Sequence, residues 1–467
     1  MNRAFQPQLY ITATALILIL ISLATNSVSI YIFLGAIALP CSIFIAFRFP
    51  AYFLAFSILI HHAVDHEIGA VTGGRLFITL SSIKIYSTDP FLLIISVSIS
   101  LYAILNPSRF LYVVKDNSLL FLFFTFSICL AFYYTIPRGF NAIGEFRAYY
   151  TPIIFTLYAL VFLRHKYQIV QAFKFSSIIL LLLIPIAVLQ GAIAFDYTIS
   201  PRTRWLTSSS MLALVHALTA IYIGQAMRQW RLSKVTLILL VIFAVVLLIA
   251  TLHRSVWMAA AVTVFVFFLS PARFRSRPPR IVLIGIGGLA SLMLVIGLTS
   301  IGGDFFSLLQ DRTLAFTSFQ DDPTANWRYL LWQSSLDLIA ENPLVGKGFG
   351  QHFSFIVGRE LVTSSPHNLY ITFAVQTGLI GATIFVGFMV SSGLRMWRTF
   401  RTSPDPLIAM ICLSGLTIWI SSISYFTAYS GSLSGFVYLG IALAACREAD
   451  IQKWVAFNQT EQNRLTG

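Results

Sequence analysis

Long apolar segments follow one another along almost the whole chain, and this feature restricts its fold most. About fourteen of them approach or reach the roughly 20 residues that an α-helix needs to cross a bilayer. Only 10% of the residues are charged, too few to cover a soluble globule of this size. The sequence therefore predicts an all-α, polytopic integral membrane protein with about 12–14 transmembrane helices. The candidate spans are 9–24, 28–47, 51–64, 90–105, 118–134, 148–163, 175–194, 207–226, 235–251, 255–270, 281–300, 368–393, 406–426 and 431–446.

Basic clusters mark one side of the membrane. They fall in alternate gaps between the candidate spans, which is the pattern of cytoplasmic loops and predicts a cytoplasmic N-terminus with a retained first span. The net charge of +14 is therefore interpreted as topology and attraction to anionic headgroups, so we expect membrane lipid and no nucleic acid as a partner. The clusters are 164–166, 228–234, 271–280 and 395–401.

One outer gap is much longer than the others and is large enough to cap the membrane domain. Within it, Asp322 as N-cap and Pro323 at the first helical position predict a helix that stops at Asn342-Pro343. We expect one membrane domain overall, made of N-terminal membrane helices 1–300, a large periplasmic capping loop 301–366, C-terminal membrane helices 367–446 and a short cytoplasmic tail 447–467.

The distribution of ionisable residues separates two classes of function. Secondary transporters usually carry ionisable side chains at mid-membrane, whereas the candidate spans here hold very few. Most of the 17 Asp and Glu residues fall in the outer gaps instead. This distribution favours an enzyme, or a binder of something delivered to the outer surface, over a proton-coupled carrier.

His367 is the strongest single candidate for a chemical role. Ser365 and Pro366 resemble a helix cap and first turn, which would put the imidazole at the positive end of the following helix. A neutral imidazole there could act as a base beside an anion. An interfacial histidine that only binds a loop carbonyl explains the same position.

Several arginines in the outer gaps could hold a phosphate group, because the planar guanidinium pairs with phosphate oxygens in a bidentate way. Arg254 occupies a tight turn between two spans, and a cation there needs an anionic neighbour. Together with Arg328, Arg202 and Arg204 it could neutralise a diphosphate. Each of these arginines also suits the simpler role of an interfacial anchor.

Two further motifs have simpler explanations. Glycines at 346, 348 and 350 flank Lys347, but they form neither a P-loop nor a dinucleotide fingerprint, so we interpret them as turn residues. The segment HHAVDHE, residues 61–67, is the best candidate for a metal site, yet it lacks a second ligand group of clear spacing. We therefore expect interfacial polarity there, and neither a metal nor a cofactor.

The region 200–395 resembles the O-antigen ligase and polymerase superfamily. NWRYLLWQSSLDLIAENPLVGKGFG is followed by PHNLYITFAVQTGLIG, and His367, Asn368, Gly378 and Gly381 match the family spacing of His-Asn, nine residues and Gly-x-x-Gly. LHRSVWMAA resembles the Ser-Arg-Gly segment of the family around Arg254, although its flanking residues here are histidine and serine.

The resemblance implies a GT-C-like membrane glycosyltransferase at the periplasmic face of the bacterial inner membrane. Such enzymes move a glycan from undecaprenyl diphosphate to a hydroxyl acceptor without a nucleotide sugar or an essential metal. It implies that His367 and Arg254 are catalytic. The implied substrate-binding residues are Arg328, Arg204, Arg202, Asn368 and Lys347.

The acceptor stays open. A ligase uses lipid A-core, a polymerase uses another lipid-linked glycan, and a protein glycosylase uses a Ser or Thr side chain. The first two reactions belong to lipopolysaccharide or other surface polysaccharide assembly. The His-Asn-x9-Gly-x-x-Gly match favours the ligase. Association with a polysaccharide flippase and a chain-length regulator is expected for either enzyme. The alternative to an enzyme is an exporter or flippase of lipid-linked glycan, which would need the arginines but no catalytic base.

Overall fold

The computed structural model describes residues 39–68, 77–80, 83–86, 88–195, 206–230, 232–250, 253–269, 323–350, 353–357, 360–363, 366–427 and 432–466. These residues are almost entirely helical. The N-terminal helices are α1 Leu39–Arg48, α2 Pro50–Ile60, α3 Asp89–Leu105, α4 Pro107–Asp116, α5 Ser118–Arg138, α6 Phe140–Phe162, α7 Lys166–Ile179 and α8 Leu183–Phe195. The later ones are α9 Ser208–Ala226, α10 Lys234–Ala250, α11 Arg254–Leu269, α12 Pro323–Glu341, α13 Leu369–Thr402, α14 Pro406–Tyr425 and α15 Leu433–Thr466.

Short irregular elements interrupt the helices. A π-helical turn His61–Ile68 continues α2, and a 3₁₀ turn Leu180–Leu182 joins α7 to α8. Two antiparallel hairpins of four-residue strands complete the described chain. Their strands are β1 Phe77–Leu80, β2 Ile83–Tyr86, β3 Ser354–Val357 and β4 Glu360–Thr363.

The predicted all-α, polytopic membrane class is confirmed. Within the described residues, five helical segments are long and apolar enough to cross a bilayer, and α3 with α4 forms a sixth candidate bent by 114°. The count of 12–14 spans stays a prediction, because candidates such as 9–24 and 281–300 lie outside the described part of the chain. The five segments are Ser118–Arg138, Lys166–Leu189, Ser208–Ala226, Leu369–Thr402 and Pro406–Tyr425.

The centre of the bundle is formed by α6, α14 and α15, and small residues set its spacing. A Cβ added to Gly415 on α14 would lie 2.3 Å from the Ala442 Cβ on α15. One added to Gly440 on α15 would lie 2.9 Å from the Ala159 Cβ on α6. Close backbone approach through small residues is the usual way in which membrane helices pack, because lipid gives no hydrophobic drive for their association.

The bundle has two chemically different ends. At the end that we call the basic end, Lys166 pairs with Asp405, Arg395 pairs with Asp116 at 2.9 Å, and Arg398 and Arg401 lie in the last turns of α13. The predicted cytoplasmic clusters 164–166 and 395–401 therefore share one end.

The opposite end, which we call the His367 end, gathers three helix starts around the last turn of α14. The Leu369 N–H donates to the Phe426 carbonyl at 2.9 Å, which fixes the start of α13 there. The Tyr425 hydroxyl donates to Ser208 Oγ at 3.0 Å and fixes the start of α9. Ser421 Oγ donates to the Ala259 carbonyl at 2.9 Å and brings the first half of α11 to the same place.

Candidate functional site

The predicted loop helix is present, and it lies against the start of α13. It begins at Pro323 and ends at Glu341, as Pro323 and the Asn-Pro signal indicated, while the predicted N-cap Asp322 lies outside the described residues. Trp332 Nε1 on this helix donates to the Pro366 carbonyl at 2.9 Å. The Trp327 ring lies 5.6 Å from the His367 ring, centroid to centroid. The loop helix α12 thus covers the residue that the sequence singled out.

The helix that follows His367 is capped differently from the prediction. Asn368 is the N-cap, and its Oδ1 accepts the N–H groups of Tyr370 at 3.0 Å and Ile371 at 3.2 Å. The prediction that Ser365 and Pro366 form the cap and first turn was therefore wrong. Asn caps a helix as well as Ser does, so residue preference alone did not separate the two sites.

His367 lies one residue before the cap in a left-handed backbone conformation. Its φ is 50°, which is uncommon for any residue but glycine and costs free energy that surrounding contacts must offset. The conformation turns the chain between Pro366, which is bound to α12, and Asn368, which caps α13. His367 therefore stands at the junction of the loop helix and the span.

The charge of His367 is controlled by burial and by Arg328. Burial removes water from the imidazole and lowers its pKa, and the positive charge of Arg328 lowers that pKa further. Both effects favour the neutral ring at neutral pH. The sequence predicted a neutral imidazole from the helix dipole, whereas desolvation is the larger cause here.

Arg328 lies close enough to His367 to act on its charge, as expected if both residues bind the same diphosphate-linked substrate. Its Nε is buried and finds no hydrogen-bond acceptor among the described residues. A buried guanidinium N–H without an acceptor is costly, so an anionic ligand at this position would lower its free energy.

Arg254 begins α11, and the contact of Ser421 with Ala259 puts this helix start at the His367 end. Its side chain lies outside the described part of the structure. Arg202 and Arg204 also lie outside the described residues, just before α9, which starts at the same end. The starts of α9 and α11 therefore meet at the His367 end, while the roles of the three arginines stay predictions.

The glycine segment after α12 docks into a break in α13. The break lies at Gly378, whose φ of 64° and ψ of −173° interrupt the helix. Four backbone hydrogen bonds fill it: Lys347 N to Val375 O at 2.6 Å, Gly348 N to Gln376 O at 3.0 Å, Leu379 N to Pro343 O at 2.8 Å and Ile380 N to Leu344 O at 3.2 Å. The loop thus provides hydrogen-bond partners for backbone N–H and C=O groups at the ends of both half-helices. Inside a membrane domain these groups cannot rely on water.

The predicted turn role of the glycines is confirmed. Gly346, Gly348 and Gly350 have φ values of 73°, 76° and 82°, in the region where only glycine is unstrained. Lys347 between them pairs with Glu341 at the end of α12. Its predicted contact with substrate stays a prediction.

Glu145 is the residue of this region that sequence reasoning missed. It lies on α6, and its Oε2 accepts the Gly350 N–H at 2.8 Å and the Gln376 Nε2 at 3.1 Å. Arg138 at the end of α5 donates to the Phe349 carbonyl at 2.8 Å beside it. The one available signal was an acid near the start of a mostly apolar helix. These contacts tie the glycine segment to α5, α6 and α13 together.

The arrangement joins a neutral base to a cation at one end of a membrane domain. An imidazole in this state can accept a proton from a hydroxyl group, and the neighbouring guanidinium can stabilise negative charge on a phosphate. In the candidate metal segment, His61 and His62 are the only possible metal ligands whose side chains are described, so the expectation of no metal there stays a prediction.

A match to a known family covers a large part of the candidate site. Residues 238–386 match the family model of the O-antigen ligases. The matched segment contains Arg254, Arg328, the glycine segment, His367 and Gly378. No curated protein matches the chain.

Proposed function

Because the chain is a member of the O-antigen ligase and polymerase superfamily, we propose that it transfers a glycan from undecaprenyl diphosphate to a hydroxyl acceptor. The contact of the loop helix with the start of α13 carries the proposal. It sets a half-buried histidine, whose pKa is lowered, within the electrostatic reach of an arginine whose Nε is buried. A base beside a diphosphate-binding cation is the minimum that such a transfer needs.

In the proposed reaction, the acceptor hydroxyl gives its proton to the imidazole of His367 as its oxygen attacks the anomeric carbon. The bond from that carbon to the diphosphate oxygen breaks, and its electron pair leaves with the diphosphate. Arg254, Arg328 and one of Arg202 or Arg204 neutralise this leaving group. Attack opposite the leaving group inverts the configuration at the anomeric carbon, and no step calls for a metal or a nucleotide.

The orientation in the membrane is part of the proposal. Loops rich in Lys and Arg are retained on the cytoplasmic side of a membrane. The basic end would therefore face the cytoplasm, and the His367 end would face the periplasm of a bacterial inner membrane. The lipid tail of the donor would then lie against the apolar spans. Each methylene buried there would contribute about 0.8 kcal/mol to donor binding.

Ligase and polymerase share the donor half of this site, and we favour the ligase with lipid A-core as acceptor. The polymerase, which uses a lipid-linked glycan as acceptor, is the alternative within the same superfamily. Both would work beside a flippase and a chain-length regulator in surface polysaccharide assembly. A flippase or exporter has no use for a base, and this separates it from both enzymes.

Transfer by the purified protein in detergent tests the proposal. Undecaprenyl-diphosphate glycan is mixed with lipid A-core or with a second lipid-linked glycan, in the presence of a chelator. We expect His367→Gln, which keeps a hydrogen-bonding side chain but takes up no proton, to fold and to lose transfer by about 10²-fold or more. The matched control Gln333→Ala, on the exposed face of α12, should transfer normally.

The outcomes separate the alternatives. Transfer to only one acceptor names the reaction as that of a ligase or a polymerase. Normal transfer by His367→Gln would remove the histidine from the mechanism. Absence of transfer by wild type, combined with translocation of lipid-linked glycan in vesicles, would favour the exporter.

A further inference from the structure

A short helix lies across the basic end of the bundle. α3 ends at Leu105, and α4 leaves it at an angle of 114° after a break at Asn106. α4 buries Val113 against the bundle and exposes Leu111 and Tyr112. An amphipathic helix at this angle to a span is typical of a segment in the membrane interface.

A cavity of about 420 Å³ opens between α4, the end of α6 and α15. Its polar lining is dominated by cations. Arg109 comes from α4, Arg164 follows α6 and Arg447 comes from α15, and none of the described lining residues is acidic. Tyr102 and Tyr112 add two phenol rings.

Two of the three guanidinium groups are held in place by the protein. Arg447 is 6% exposed and donates to the Leu160 carbonyl at 2.6 Å and the Leu163 carbonyl at 2.8 Å, at the end of α6. Arg164 lies over the Tyr102 ring at 4.2 Å. Fixed guanidinium groups bind an anion with less loss of side-chain entropy than mobile ones.

Two acids on the helices that border the cavity are already engaged by another arginine. Asp116 at the end of α4 attracts Arg447 from a distance, but it accepts a hydrogen bond from Arg395 at 2.9 Å. Asp450 pairs with the same Arg395 at 3.0 Å. Arg109 and Arg164 repel each other across the cavity, because each lies in the electrostatic field of the other. A bound anion would relieve this repulsion.

We infer that this cavity binds the phosphate of an acidic phospholipid at the basic end of the bundle. The guanidinium groups supply the charge-assisted hydrogen bonds that a phosphate diester accepts. A lipid fits better than a free phosphate, because Ile451 lines the cavity and the helices α3 and α4 that border it expose the apolar side chains of Ile104, Leu105 and Leu111. This surface can take acyl chains. The inference is independent of the proposed transfer reaction.

Lipid-dependent thermal unfolding of the full-length protein tests the inference. The protein is purified in a neutral detergent and titrated with phosphatidylglycerol, with phosphatidylcholine or with inorganic phosphate. We expect Tm to rise with phosphatidylglycerol well above the effect of the other two additions, because ligand binding to the folded state stabilises it.

Two variants and a matched control locate the effect. Arg109→Gln changes an exposed side chain and should weaken phosphatidylglycerol binding about fivefold, and the double change with Arg164→Gln should weaken it further. Lys115→Gln removes the same charge from α4 at an exposed position that does not line the cavity, so its binding should match wild type.

Three results would overturn the inference. They are an equal rise in Tm with phosphatidylcholine, wild-type affinity in the double variant, and a full rise with inorganic phosphate alone. The last result would indicate a site for a free anion. Because the readout is binding, a failed transfer assay would not affect it.

Discussion

Gly346 and Gly378 meet through their backbones, with no room for a side chain on either. A Cβ on Gly346 would lie 2.5 Å from the Gly378 nitrogen, and a Cβ on Gly378 would lie 2.2 Å from the Leu344 carbonyl oxygen. The contact joins the glycine segment that follows α12 to the break in α13. It thereby couples the loop helix that carries Arg328 to the span that follows His367.

Gly378→Ala should destabilise the folded protein by about 1–3 kcal/mol, because alanine at a positive φ is strained and its Cβ collides with backbone. The measurement is thermal unfolding of the purified protein. Gly387→Ala on the same helix is the control, since its Cβ would meet only Leu119 Cδ1 at an ordinary 3.8 Å. Equal Tm values for the two variants would contradict the close contact.

Glu145→Ala should lower Tm and transfer together. It removes the acceptor of the Gly350 N–H and of the Gln376 amide, and an unpaired buried donor costs about 1–3 kcal/mol. The control is Glu341→Ala, which breaks an exposed pair with Lys347 and should cost no more than about 1 kcal/mol. An effect of Glu145→Ala no larger than that of the control would show that the anchoring contact is unimportant.

The pH dependence of transfer should report the state of His367. A base must be neutral, and burial with the charge of Arg328 lowers the imidazole pKa below its ordinary 6.5. The rate of wild type should therefore stay level as pH falls through 6.5 and drop only at lower pH. The drop follows protonation of the base.

Arg328→Gln should move this drop upward in pH, because removing the positive charge lets the imidazole pKa rise. It should also slow transfer by about 10²-fold at neutral pH through loss of leaving-group stabilisation. Arg398→Gln, an exposed arginine at the basic end, is the control and should leave the profile unchanged. A slower Arg328→Gln with an unshifted profile would separate the two effects and contradict the electrostatic link.

Asn368 variants should separate a cap from a substrate ligand. Asn368→Ala removes the acceptor for Tyr370 N and Ile371 N and should cost about 1 kcal/mol of stability. Asn368→Ser can still cap the helix and should keep the wild-type Tm. If Asn368→Ser keeps its stability but loses transfer, the substrate contact predicted from the sequence is supported; if it keeps both, capping explains the residue.

Local signals in the sequence predicted the local structure well. Pro323 and Asn342-Pro343 gave the bounds of α12, and apolar length gave most of the described spans. The break at Gly378 was not predicted, because two glycines in an apolar run fit an ordinary membrane helix equally well. It is filled by hydrogen bonds to Pro343, Leu344, Lys347 and Gly348, which all lie well before it in the chain.

The candidate site divides in the same way. His367 and Arg328 were chosen from residue type and position, and the structure brings them together. Glu145 could not be identified from its residue type and position, because its partner Gly350 is 205 residues away in sequence. Contacts of that separation depend on how helices pack, and helix packing is not encoded in any short stretch of sequence.

The hydrogen bonds that fill the break have an evolutionary consequence. An insertion or deletion between Leu344 and Lys347 would shift the Pro343 and Leu344 carbonyls relative to the Lys347 and Gly348 N–H groups, so the two pairs of hydrogen bonds to α13 could no longer form together. We therefore expect related chains to keep a fixed distance from Pro343 to Gly348. The glycines at 346 and 378 should be inherited as a pair.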